Sequence, residues 1–348
     1  MTKPQQASWS ANADLLDGLR VVELSAGVAG AYCGTLLAQL GASVARCAVP
    51  TALIASSEAQ ALMQQHLHGR KSSFQAAELD TVLSRAAVVI VETASQGHPL
   101  AGRMRDLALG GGGLRPATVV VVLSANGIQE DARVQGCGLT SAAAAGMSFA
   151  IGSRGIEPLN LPYDITDYQA GVNGACAALA GVLGRMGAGG PIDVASRDVL
   201  ANLVGTLAHN YVPFGRPWQR EGTRPSLSGG VYPCGLFPCK DGYVAVYCRG
   251  TPEWKGMLRA MGNPPWSREA RFDDPKTVAT QHADEADSHM LPWLAQYTRA
   301  ELLALGIEFG FPASPVKYVR EALADGQFAF RGSFSTLARG EEDRKSVV

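Results

Sequence analysis

Two runs, VVIVE (88–92) and TVVVVLS (118–124), are apolar at consecutive positions and rich in β-branched residues. A strand with one face in water alternates apolar and polar side chains, whereas a strand without alternation needs cover on both faces. A parallel sheet with helices above and below meets that need. RVVELS (20–25) and SVARCAV (43–49) read as two further strands, and between them Ala29, Cys33, Leu36, Leu37 and Leu40 mark one face of a helix. This βαβ opening predicts an α/β chain built on a Rossmann-like, doubly wound parallel sheet.

The chain has 348 residues, more than one simple core accommodates, so a large and a smaller α+β domain are expected. The large domain is placed at 15–213. Within it, Tyr168, Val172, Ala175, Cys176, Leu179, Val182, Leu183 and Met186 keep a helical period after LPYDITD, GAGG (187–190) ends that helix, and PIDVA (191–195) follows as a strand. RDVLANLVGTLAHNY (197–211) reads as one more helix. Residues 214–230 are rich in Pro, Gly and Arg and read as a linker. The small domain, 231–312, opens with GLFPCKDGYVAVYC, a hairpin with Asp241–Gly242 as its turn. Helices are expected around 252–262, 284–297, 298–308 and 319–325.

Several function classes fall away. A net charge of −1 supplies no field toward nucleic acid or an anionic membrane. The seven cysteines are scattered, and Cys234 and Cys239 lack a second pair at zinc-site spacing, so no metal is expected. His66 and His68 read as surface helix rather than a metal clip. The polar start MTKPQQASWSANADLL is no signal peptide, and no apolar run reaches membrane-spanning length, so a reducing, cytoplasmic setting is expected. SAGVAG (25–30) lacks G-x-G-x-x-G spacing and an acidic ribose partner, which argues against NAD. GGGG (110–113) lacks the Lys-Ser/Thr of a phosphate loop and reads as a flexible connection.

Longer motifs carry a family likeness. LLDGLRVVELSAGVAGAYCGTLLAQLGASV, GRKSS (69–73), LPYDITDYQAGVNGACAAL (161–179), GGPIDVASRDVLANLVG (189–205) and FPCKDGYVAV (237–246) resemble the family III coenzyme A transferases, a superfamily that also holds α-methylacyl-CoA racemases. The likeness resumes at TRAELLALG (298–306) and EALADGQFAFRG (321–332), so it spans nearly the whole chain. It implies a CoA-binding large domain and two subunits interlocked like links of a chain, either a homodimer or a heteromer with a related subunit. It also implies a return segment, 313–348, shorter here than in relatives, and Ala48 stands where an acidic residue is usual.

The same resemblance implies that Asp167, in DITDYQAGVNG, is a covalent nucleophile. An aspartate has an ordinary pKa of about 3.9, and a helix start favours the anion further, so it is expected to be ionised without a base. Spacing alone leaves a second reading open, since Asp164 with Asp167, or Thr166 with Gln169, also fits a capping box. Coenzyme A or its thioester is then substrate rather than a resident cofactor. By position in the family pattern its contacts are Val28, Ala29, Arg70, Lys71, Thr93, Arg103 and Arg133, although each Arg taken singly reads more readily as a solvated surface residue. Gly229 and Gly230, in a Gly-rich turn of the second lobe, are candidate oxyanion donors. Trp218, Tyr232 and Phe237 are candidates for an acyl pocket, although aromatics beside a linker are more often packing residues. Cys137 stands where related racemases carry His, and Gly250 or Thr251 where they carry Glu, which favours transfer of CoA to a carboxylic acid over racemisation. A non-catalytic subunit of a heteromer is the third reading.

Overall fold

The runs that lack alternation form the centre of a six-stranded sheet. The structure is a computed structural model and describes residues 15–25, 27–47, 58–93, 100–128, 136–153, 155–162, 164–184, 190–205, 211–213, 215, 220, 230–339 and 342–347. Strands β1 (Arg20–Leu24), β2 (Ser43–Cys47), β3 (Ser72–Phe74), β4 (Val88–Glu92), β5 (Val119–Ser124) and β6 (Ile192–Ala195) lie in the order β3-β2-β1-β4-β5-β6. Every pairing is parallel. Every residue of β4 and β5 is buried, as two covered faces require.

Parity along each strand sorts the core into two layers. Val21, Val44, Val88, Ile90, Val121 and Leu123 face one side and pack with α1 (Val28–Gln39). Val22, Leu24, Val89, Val91, Val120 and Val122 face the other side. After α2 (Glu58–His68), that second side is covered by α3 (Leu79–Leu83) and α4 (Ala101–Ala108). Between β5 and β6 the chain forms α5 (Gly138–Ala144), α6 (Met147–Ala150) and α7 (Ile165–Gly184), and α8 (Ser196–Leu203) follows β6.

Helix α7 joins α1 on the first side, and small residues let it close in. A Cβ at Gly171 would stand 2.7 Å from the Ala29 carbonyl, and one at Gly181 would stand 2.6 Å from Val119. The ring of Tyr168 meets that of Tyr32 edge-on at 4.7 Å. The helix begins three residues before Tyr168, so Asp167 lies inside its first turn.

The chain divides into two compact units, Met1–Phe149 with Leu159–Gly205, and Ala150–Pro158 with Thr206–Val348. The second holds an antiparallel sheet of β7 (Cys234–Cys239), β8 (Gly242–Tyr247) and β9 (Ala313–Pro315), with helices α9 (Thr251–Ala260), α10 (Ala283–Leu294), α11 (Arg299–Phe309), α12 (Val319–Leu323) and α13 (Gly326–Arg331). A last hairpin pairs Phe334–Arg339 with Glu342–Val347. Strand β9 pairs with β8, so the sheet runs past the boundary expected at 312. The expected linker, 214–230, falls mostly outside the described residues. Of the helix expected over 197–211, α8 ends at Leu203, residues 206–210 lie outside the described residues, and 211–213 are helical.

One local expectation is corrected. The β7–β8 turn is Lys240–Asp241, because Cys239 pairs with Gly242, whose φ of 149° suits a glycine at the strand start. The glycines at 110–113 connect α4 to β5, as expected. Gly110, Gly112 and Gly113 take positive φ, and the Gly112 carbonyl accepts from Arg103 at 2.8 Å.

Candidate active site

The strand order reverses between β1 and β4, and a doubly wound sheet opens a crevice beyond the carboxyl ends of its strands at such a point. Three segments meet there. The β1–α1 loop brings Gly27, Glu92 closes β4, and the first turn of α7 brings Asp167.

Glu92 is a buried carboxylate that sequence reasoning overlooked, although an acidic residue ending an otherwise apolar strand was the available signal. It accepts the Gly27 amide at 2.8 Å, and the Gly30 amide also stabilises its anion. Gly27 precedes α1 and has no side chain with which to cap it, so a strand residue supplies the cap. The approach is close: a Cβ at Gly27 would stand 2.4 Å from Oε1. Burial, and to a lesser degree the charge of Asp167, pushes the Glu92 carboxyl up to about 7 against the pull of the two amides.

Asp167 is half-buried on α7, whose first turn is closed by the Tyr168 amide donating to the Asp164 carbonyl at 2.9 Å. The expectation that a helix start keeps its pKa low is corrected. Burial comes first and the Asp164 charge second, and together they push Asp167 up to about 6. Desolvation outweighs the helix dipole here.

Cys137 caps α5 with an exposed thiol, and its N–H donates to Thr140 Oγ1 at 2.8 Å. Hydrogen bonding from the Thr140 amide lowers the thiol below its ordinary value, while burial and the Asp167 charge oppose that shift. The next residue, Gly138, packs directly on Thr166 and Asp167.

The positions expected to contact coenzyme A separate. Val28 and Ala29 form the first turn of α1, with Ala29 buried against α7. Thr93 follows Glu92, half-buried, its amide donating to the Leu123 carbonyl at 2.9 Å. Arg70 is exposed ahead of β3, and Arg133 and Gly229 lie outside the described residues. Gly230 is half-buried in the second unit.

Lys71 is corrected: its ammonium sits 2.6 Å from Glu23 Oε2 and 2.6 Å from the Ala31 carbonyl, with 1% of the side chain exposed. It joins β1, α1 and β3 from within and has no face for a phosphate. Arg103 is tied to Asp106 at 2.6 Å and to Gly112, where it holds the connection leading into β5. His68 is also corrected from surface to half-buried. Burial, then the charges of Lys71 and Arg46, push it down to about 3, so it stays neutral 3.9 Å from Glu23.

Tyr232 and Phe237 belong to the core of the second unit rather than to an acyl pocket. Tyr232 meets Trp254 edge-on at 5.3 Å and donates its hydroxyl to Asp287 at 2.8 Å. Trp218 is outside the described residues. Gly250 caps α9 and donates its amide to Glu253 at 3.0 Å. Among the described residues no three His, Cys, Asp or Glu side chains are grouped to hold a metal ion. No helix among them is long and apolar enough to cross a membrane.

The family model for CoA-transferase family III matches residues 16–52 and 101–348. The chain belongs to this family. Among its relatives, the succinyl-CoA–D-citramalate CoA-transferase of Chloroflexus aurantiacus is 25% identical over 336 residues, covering 91% of this chain and 82% of the relative. The alpha subunit of succinyl-CoA–L-malate CoA-transferase from the same organism is 24% identical over 346 residues, covering 92% and 78%. Crystalline Rv3272 from Mycobacterium tuberculosis shares the fold, with a TM-score of 0.76 at 20% identity over 97% of this chain and 92% of that one. This member of CoA-transferase family III is therefore an enzyme, and CoA transfer is the activity of its family.

Proposed function

We propose that this enzyme moves coenzyme A from an acyl-CoA thioester to a carboxylic acid through a thioester on Asp167. The observation that carries the reading is the placement of Asp167, half-buried in the first turn of α7 at the strand-order reversal, with Gly138 against its carboxylate. The Asp167 carboxylate attacks the thioester carbonyl; the C–S bond breaks, and a mixed anhydride and CoA thiolate result. The thiolate attacks the Asp167 acyl carbon and releases the donor's carboxylate, leaving aspartyl-CoA. The acceptor carboxylate then attacks that thioester to form a second anhydride, and the returning thiolate takes up the acceptor acyl group and frees Asp167. Negative charge is conserved at each step, so no base is needed. A carboxylate is a weak nucleophile, and fixed placement supplies effective molarities of about 10⁵ M or more.

Two named relatives use succinyl-CoA, which makes it the first donor to try. Incubation with succinyl-CoA and a panel of other acyl-CoAs, followed by hydroxylamine and peptide mass mapping, should mark Asp167. Failure of every thioester to mark it, with transfer intact in Asp167→Ala, would sink the mechanism. One relative is named an alpha subunit, which supports a second reading in which this chain works beside a related subunit. Activity that appears only on adding such a subunit would establish that reading. The interlocked dimer belongs to the same proposal and is checked by the mass of the protein in solution.

A further inference from the structure

Two other helices touch the turn of α7 that carries Asp167. From α5, Gly138 presses on its carboxylate. From α1, contact comes through Tyr32, a half-buried residue that the transfer scheme leaves unused. The Tyr32 ring meets the ring of Tyr168, the residue after Asp167, edge-on at 4.7 Å and 83°. A Cβ built on Gly171 would stand 3.1 Å from the Tyr32 Cβ and 3.2 Å from the Cys33 nitrogen. Gly171 follows Tyr168 by three residues and Asp167 by four, so it neighbours both on the helix surface. Tyr32 thus lies in a notch of α7 whose floor is Gly171 and whose wall is the Tyr168 ring. Helix α1 is a fixed reference for that contact. Glu92 holds its start through the Gly27 amide at 2.8 Å, and Lys71 donates to the Ala31 carbonyl at 2.6 Å. Thr35 Oγ1 donates to the Leu67 carbonyl at 2.7 Å. These bonds tie α1 to β4, to the residue before β3 and to α2.

We propose that Tyr32 is a positioning residue for Asp167: its ring, keyed between Tyr168 and Gly171, sets the rotation of the first turn of α7 and with it the direction of the Asp167 carboxylate. The proposal rests on transfer at Asp167. A contact through glycine sets how closely two helices approach and leaves each free to roll about its axis. An edge-on ring pair has a preferred geometry, so it resists that roll as well. Gly138 limits movement of the carboxylate toward α5, and Tyr32 limits rolling of the turn away from it. Attack on a thioester carbonyl needs both distance and angle, and a misplacement of about 1 Å costs on the order of 10²-fold in rate.

The test compares Tyr32→Phe, which keeps the ring, with Tyr32→Leu, which keeps apolar volume and loses the ring. Thermal melts establish that each folds; should Tyr32→Leu not fold, Tyr168→Leu, which removes the other ring of the pair, takes its place. In the first arm, the ¹³C signal of the Asp167 carboxyl, assigned by its loss in Asp167→Asn, is titrated with pH. Burial, ahead of the Asp164 charge, holds the wild-type midpoint near 6. The midpoint should stay there in Tyr32→Phe and fall on the order of one unit in Tyr32→Leu, as the turn rolls and water reaches the carboxylate. An unmoved midpoint in Tyr32→Leu overturns the proposal. In the second arm, transfer from succinyl-CoA is measured. Tyr32→Leu should lower kcat on the order of 10²-fold with KM unchanged, and Tyr32→Phe should keep the wild-type rate. A wild-type rate in Tyr32→Leu, a change confined to KM, or an equal loss in Tyr32→Phe overturns the proposal. The first arm needs no substrate, so it separates the two failures. If the midpoint falls in Tyr32→Leu but no thioester loads wild-type Asp167, the transfer reading fails and the effect of Tyr32 on rate fails with it, while its placement of the carboxylate stands.

Discussion

The backbone of Gly138 presses against Asp167: a Cβ built on it would stand 3.0 Å from Oδ2 and 2.2 Å from the neighbouring Thr166 Oγ1. Thr166 is buried, so it cannot swing aside into solvent. Gly138→Ala should therefore move either α5 or Asp167, the proposed nucleophile. Overpacking of this kind costs about 1–3 kcal/mol, and a displaced nucleophile costs on the order of 10²-fold in rate. Thermal melts and single-turnover loading from succinyl-CoA read the two effects, and loading at the wild-type rate would contradict this placement.

In the proposed mechanism Asp167 acts as its anion, and burial with the Asp164 charge raises its pKa to about 6. The loading rate should thus fall tenfold per pH unit below about 6 and level off above it. Asp164→Asn removes the like charge, so its acid limb should move to lower pH. A limb that stays in place would show that Asp164 does not act on Asp167.

Glu23 and Lys71 each expose 1% of their side chains. Removing one partner of a buried ion pair costs about 3–5 kcal/mol, while replacing both with apolar residues of similar size is often neutral. Lys71→Ala should destabilise by that amount. Glu23→Leu combined with Lys71→Met should recover most of it, as measured by urea unfolding. Arg70→Ala, at an exposed position, should leave stability within about 0.5 kcal/mol.

Glu92 also imposes a stability slope. Its pKa rises on folding from an ordinary 4.5 to about 7, so the folded state holds the proton more tightly than the unfolded chain. The resulting stabilisation is full below pH 4.5 and lost as pH rises through 7. Over that window wild-type protein should lose about 3 kcal/mol relative to Glu92→Gln. Parallel urea-unfolding profiles for the two proteins would contradict this.

Strands were legible because a covered strand needs apolar residues in succession, and VVIVE and TVVVVLS have that texture without reference to anything distant. The long helix was legible for the equivalent reason at its own period. What escaped was set by partners remote in the chain. Lys71 meets Glu23 across 48 positions, and Glu92 meets Gly27 across 65, so no local pattern distinguishes a phosphate-binding lysine from one buried in an ion pair. The pKa of Asp167 was misjudged likewise, since the dipole is visible in a helix start and desolvation is not. The hairpin was misplaced by one residue because Gly242 signals a positive φ without saying whether it belongs to the turn or to the strand. Tyr232 and Phe237, beside a Pro-rich stretch, already read more readily as packing residues than as pocket lining, but nothing local pointed to Trp254 as the partner that encloses them.

The Gly27–Glu92 contact carries a consequence for ligand choice. A free phosphate drawn to the amide end of α1 must displace a carboxylate supplied by the same chain, whose effective concentration exceeds that of a dissolved competitor. The sheet thus has the strand order of a dinucleotide-binding protein with its usual phosphate seat already taken. Acidification through pH 7 neutralises that internal competitor, so inorganic phosphate should compete for this seat better at pH 5.5 than at pH 8.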